Sequence, residues 1–252
     1  MYARRLTSII NVLAVIATIA VNGLANALPI NGQTTGEISD RFAVFFVPAG
    51  YVFSIWGLIY MGLIAFAIYQ ALPANRGSKR LAPIGLWFAL SCAANILWIV
   101  LWHYEAFVLT VPVMLVLLVS LIVIYQRLGI GRKSAPSPER WCVDVPFSIY
   151  LGWITVATVA NITSVLYYLG WGGWGIAPHT WALIMLVIAA ALAVAMSVSR
   201  RDVSYVLVII WALVGIAVKH SASPVIAVAS LVLSVAALVP TGARLLARTK
   251  SA

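Results

Sequence analysis

Residues 106–126 read AFVLTVPVMLVLLVSLIVIYQ. The stretch carries no charge, and its apolar residues run continuously instead of alternating with polar ones. About 20 apolar residues in a helix cross the hydrocarbon core of a bilayer. In lipid a backbone must satisfy its own N–H and C=O groups, which a helix does within one segment. A transmembrane strand would alternate and would be shorter. The stretch therefore reads as a membrane helix.

Working outward, seven more segments read the same way: 7–28, 48–72, 82–103, 144–168, 178–198, 203–219 and 223–246. The expected fold is all-α, a polytopic bundle of eight transmembrane helices. Composition agrees, because 63% of the 252 residues are hydrophobic and only 9% are charged. A soluble domain averages about 25% charged residues.

A net charge of +10 invites a nucleic-acid reading. The basic residues nevertheless form no single patch. They sit in short clusters between the apolar segments, as membrane topology requires. With the amino terminus inside, all of the 16 basic residues except Arg41 and Lys219 fall in inside segments. This reading puts both termini in the cytoplasm and the protein in the cytoplasmic (inner) membrane. The first segment shares its Arg4–Arg5 start and the ANAL at 25–28 with cleavable signal peptides. Its length, Asn11 and Asn22 favour a retained helix.

Few groups are available for chemistry. His103 and Glu105 lie in an outside turn, His179 and His220 near the outside ends of their segments, and Asp144 at an inside edge. A relay of intramembrane carboxylates or histidines for ion pumping is missing, as are H-E-x-x-H and G-x-S-x-G. No catalytic residue, metal ligand set or required cofactor is assigned. What remains is aromatic and amide chemistry. Trp56 and Tyr60 share a helix face, as do Asn95, Trp98 and Trp102, and Trp153, Ala157 and Asn161. An amide in hydrocarbon needs a partner. Two readings stay open on spacing alone: hydrogen bonds between helices, or a pocket of indoles with a few amides that suits a flat, mostly apolar ligand.

Three segments carry a resemblance. YLGWITVATVAN at 150–161, ANILWIVLW at 94–102 and YVFSIWGLIYMGL at 51–63 are similar, in this order, to the fifth-, third- and second-helix patterns of the tryptophan-rich sensory protein or translocator protein (TspO/MBR) family. The resemblance covers residues 7–168 and implies a five-helix ligand-binding core over 1–168, with a three-helix membrane extension over 169–252. Ile149 stands where the pattern has proline, and Ile99 follows Trp98 where it has serine. The resemblance also implies a pocket for porphyrins or other tetrapyrroles, lined by Trp56, Tyr60, Asn95, Trp98, Trp153, Ala157 and Asn161.

Residues 28–60, LPINGQTTGEISDRFAVFFVPAGYVFSIWGLIY, open with a polar segment between two apolar runs. With the resemblance, residues 29–47 read as a lid over an outward-opening pocket. Gln33, Glu37, Asp40 and Arg41 are its candidate ligand contacts. Trp56, Trp98 and Asn161 are expected within about eight residues of that face, roughly 12 Å. The implied function is a membrane receptor or carrier of a flat hydrophobic ligand. The alternatives are an accessory subunit of a larger, pigment-holding membrane complex and, with least support, a tetrapyrrole- or lipid-modifying enzyme. The expected partners are the bilayer, the ligand, and a second copy or a larger membrane complex, without nucleic acid.

Overall fold

The computed structural model describes residues 2–249, and side chains from 6 to 242. The terminal cations Arg4, Arg5, Arg244, Arg248 and Lys250 lie outside the described side chains. The described residues are helical without a strand. In chain order the helices are α1 (Tyr2–Ala27), α2 (Thr35–Asp40), α3 (Ile55–Ala71), α4 (Trp87–His103), α5 (Phe107–Leu128), α6 (Ser137–Glu139), α7 (Val145–Tyr168), α8 (Pro178–Arg200), α9 (Val203–Lys219) and α10 (Pro224–Thr249). Each of the eight apolar segments is thus helical over most of its length. Six stretches are long and apolar enough to cross a membrane, and α4 and α9 are shorter apolar helices.

Small residues set the close contacts. A Cβ on Gly62 of α3 would lie 2.9 Å from Pro146 Cβ, and one on Gly152 of α7 would lie 3.1 Å from Val208 Cβ of α9. Helices in lipid gain little from hydrophobicity against each other, so such close approach supplies the attraction. Leading into α7, Arg140–Asp144 forms a wide π turn. Residues five apart in a regular α-helix point about 140° apart. The wide turn lets Glu139 and Asp144 face one side together, where Arg80 donates to both, at 2.6 and 2.7 Å, and to the Leu128 carbonyl at 3.1 Å.

The α3 approach differs from expectation. Residues 42–54 do not form a free outer loop leading straight into α-helix, although Gly50–Ala71 as a whole is long enough to cross a membrane. They descend along α9: Ala49 N–H donates to the Gly215 carbonyl at 3.1 Å, and Trp211 Nε1–H donates to the Val52 carbonyl at 3.1 Å. A 3-10 turn over Gly50–Ser54 follows, and only then does α3 begin. Irregular backbone at membrane depth is tolerated where protein covers and satisfies it. Here α9 does so.

Candidate ligand-binding site

The polar segment folds as its sequence dictates. Thr34 and Glu37 make a capping box: the Glu37 N–H donates to Thr34 Oγ1, and the Thr34 N–H donates to the Glu37 carboxylate at 2.7 Å. This T-x-x-E pattern is a helix-start signal that marks α2 in the sequence. The Thr34 donors hold the Glu37 carboxyl below its ordinary pKa.

The cap is fastened to the end of α4. Trp102 Nε1–H donates to the Thr35 carbonyl at 3.3 Å. His103 is buried, with Nδ1 3.0 Å from the Ile30 carbonyl and Nε2 3.1 Å from Thr35 Oγ1. A carbonyl only accepts, so Nδ1 carries the proton, and in the neutral ring Nε2 takes the Thr35 hydroxyl hydrogen. Asn31 adds a bond to the His103 carbonyl at 3.1 Å. All four predicted ligand contacts of this segment, Gln33, Glu37, Asp40 and Arg41, bond to protein groups. Arg41 pairs with both oxygens of Glu105, at 2.5 and 3.1 Å, and donates to Gln33 at 3.1 Å. Asp40 pairs with Lys219 at the end of α9. Arg41 keeps the Glu105 carboxyl below the usual carboxylate range.

Beneath this cap the candidate residues form two tiers. The upper tier holds Trp98 and Trp102, stacked at 5.4 Å, with Phe42 of the lid segment against Trp102 and Phe107. Trp98 Nε1–H donates to Asn161 Oδ1 at 3.3 Å, and Asn161 Nδ2 donates to Thr110 Oγ1 at 2.8 Å. These bonds join α4, α7 and α5. The lower tier holds Trp56 stacked on Tyr60 at 5.5 Å, with Trp153 edge-on to both Phe53 and Trp56. Asn95 accepts from Asn22 Nδ2 at 2.7 Å and donates to the Tyr150 hydroxyl at 3.0 Å, joining α1, α4 and α7.

Trp56 therefore lies deeper than its place in the sequence suggests. It neighbours Trp153, which is eight residues or about 12 Å below Asn161 along α7. Chain descent through residues 42–54 carries it there. Ala157 is half-buried between the tiers and packs against the core. Both amides are buried and bonded to protein groups. Sequence reasoning did not identify their partners Asn22, Tyr150 and Thr110, nor His103 as the lid anchor. Polar identity inside an apolar run was the one available signal.

One polar atom in the site has no partner. Trp153 is 2% exposed, and its Nε1–H is buried without an acceptor among the described residues. Such a donor costs about 1–3 kcal/mol when left unpaired, and marks a place where a missing acceptor fits. Four residues earlier on α7, Ile149 lines an open crevice of about 330 Å³ between α3, α7 and α9. Ser54, Leu58, Leu207 and Trp211 also line it.

Comparison with curated proteins and with solved structures finds no match. A family profile described as TSPO-like protein matches residues 8–242, taking in α8, α9 and most of α10 as well as the five apolar helices α1, α3, α4, α5 and α7 before them. With its apolar helical bundle, this is an integral membrane protein, and the chain belongs to the TSPO-like protein family.

Proposed function

We propose that this protein is a membrane receptor or carrier that takes a flat, mostly apolar ligand of tetrapyrrole type into the lower aromatic tier beneath the lid. The observation that carries the reading is the buried, unpartnered indole N–H of Trp153, beside the stacked and partly buried Trp56 and Tyr60. A tetrapyrrole supplies what this place lacks: a π face for the rings and polar acceptors at its edge. The crevice between α3, α7 and α9 is the entry from the bilayer. Asn95 and Asn161 act on the ligand indirectly, by tying together the helices that carry the indoles. The charged lid residues act as a latch.

Membrane placement follows the charges. Among the described side chains, Arg41 and Lys219 are at the lid end, while Arg76, Lys79, Arg80, Arg127, Arg132, Lys133, Arg140, Arg200 and Arg201 are at the other. The positive-inside rule then puts the lid on the outer face of a cytoplasmic membrane, with eight crossings and both termini inside. The shorter α4 and α9 complete their crossings with the turns beside them.

The test is quenching of intrinsic tryptophan fluorescence by a porphyrin in detergent-solubilised protein. Trp153→Phe keeps an aromatic ring and removes the N–H, and is expected to weaken binding about tenfold, the equivalent of one hydrogen bond. Trp171→Phe, remote from both tiers, leaves it unchanged. Equal affinity for the native protein and Trp153→Phe would overturn the assignment.

A further inference from the structure

At the end of the bundle opposite the lid, the loop after α5 approaches the α8–α9 turn so closely that a Cβ on Gly131 would lie 1.9 Å from the Arg200 carbonyl oxygen. Gly131 has φ of +76° and Arg201 has φ of +55°. Between this loop, the start of α7 and the α8–α9 turn lies a cavity of about 360 Å³. Arg132, Lys133, Arg140, Arg200 and Arg201 line it.

The two carboxylates in its wall are already neutralised or satisfied. Asp144 is paired with Arg80 at 2.7 Å. Asp202 accepts from the Tyr125 hydroxyl at 2.7 Å, the Ser148 hydroxyl at 2.6 Å and the Tyr205 N–H at 3.0 Å. Arg200 is held over the Tyr125 ring and donates to the Ile130 carbonyl at 3.3 Å. The side chains of Arg132, Lys133, Arg140 and Arg201 make no hydrogen bond or ion pair among the described residues. Ser134 and Ser204 add hydroxyl groups to the lining.

A row of solvated cations on a membrane protein ordinarily does no more than set topology. These four differ because three chain segments bring them around one concavity. A cleft lined by one sign of charge focuses its field and concentrates a counter-ion. Arginine matches phosphate oxygens in a planar fork, and hydroxyls complete the donor set. We infer that this cavity is a binding site for a phosphate group, distinct from the aromatic site some distance away. Two sources share that chemistry: a soluble phosphate or polyphosphate, and the headgroup of an anionic phospholipid in the adjacent leaflet.

The test uses the full chain in two arms. In neutral detergent at fixed ionic strength, thermal unfolding is followed against pyrophosphate, with chloride as reference. In nanodiscs, phosphatidylcholine alone is compared with phosphatidylcholine containing phosphatidic acid. A saturable rise in Tm in the first arm identifies a soluble anion; a rise in the second arm alone identifies a headgroup. Arg132→Gln combined with Arg201→Gln should raise the half-saturating concentration at least about tenfold, as loss of two charged hydrogen bonds implies. Arg76→Gln combined with Lys79→Gln removes the same charge outside the cavity and should leave it unchanged. No response in either arm of the native protein, or equal loss in both double variants, would overturn the inference.

Discussion

Gly215 of α9 meets Val52 of the descending segment so closely that a Cβ on the glycine would stand 2.2 Å from a Val52 methyl carbon. Pro48 lies on the same side, with its Cβ 3.1 Å from that position. The contact explains why α9 is integral to the site. It carries the carbonyl that accepts from Ala49, the indole that donates to Val52, and the lysine that pairs with the lid.

Gly215→Ala should therefore push the 48–52 segment off α9. Overpacking of this kind costs about 1–3 kcal/mol, seen as a lower Tm in detergent. Val52→Ala removes the offending methyl groups but leaves Pro48 near. The double variant should recover part of the loss, giving a favourable coupling in a double-mutant cycle. Additive losses would show that the two residues do not meet.

The Arg41–Glu105 latch gives a pH prediction. Arg41 depresses the Glu105 carboxyl, so its stabilising contribution is fully present above the ordinary carboxylate pKa of about 4.3. It is lost as the pH falls through the lower folded value. Both side chains are 41% exposed, which limits the contribution to at most about 1 kcal/mol. Glu105→Gln should raise amide hydrogen exchange across α2 at neutral pH by up to about fivefold, and reduce its acid dependence to the share that the Glu37 capping box contributes.

Asn161 links Trp98 to Thr110. Asn161→Leu leaves the Trp98 N–H buried and unpaired, while the Thr110 hydroxyl keeps its bond to the Phe107 carbonyl, with an expected loss of about 1–2 kcal/mol. Asn161→Asp keeps the acceptor for Trp98 but, when ionised, loses the donor to Thr110 and buries a charge, so it should be worse than leucine at neutral pH. Unfolding midpoints of the two variants decide the order.

At the opposite end, Arg80→Met removes the cation that pairs with both Glu139 and Asp144. Breaking a largely buried charge cluster from one side typically costs about 3–5 kcal/mol. Arg80 keeps some solvent contact, so about 2–3 kcal/mol is expected. The difference in Tm between the native protein and the variant in detergent at neutral pH measures this.

The sequence by itself determined that eight apolar segments are helical, because hydrocarbon offers a backbone no partner but itself. It also placed the polar segment between the first two and, among the described side chains, nearly all cations at one end. Its family motifs picked out Asn95, Trp98, Trp153 and Asn161, residues the fold buries. Only the tertiary structure decided which groups meet: Asn95 with Tyr150, Trp102 with Thr35, Arg41 with Glu105, and Val52 with Gly215. The reason is that a membrane helix is apolar on the faces turned to lipid and to protein alike, so the spacing of its apolar residues does not report its rotation or depth. The descent of residues 42–54 shows this most clearly. Nothing in their sequence states that they run down α9, and that descent alone brings Trp56 level with Trp153.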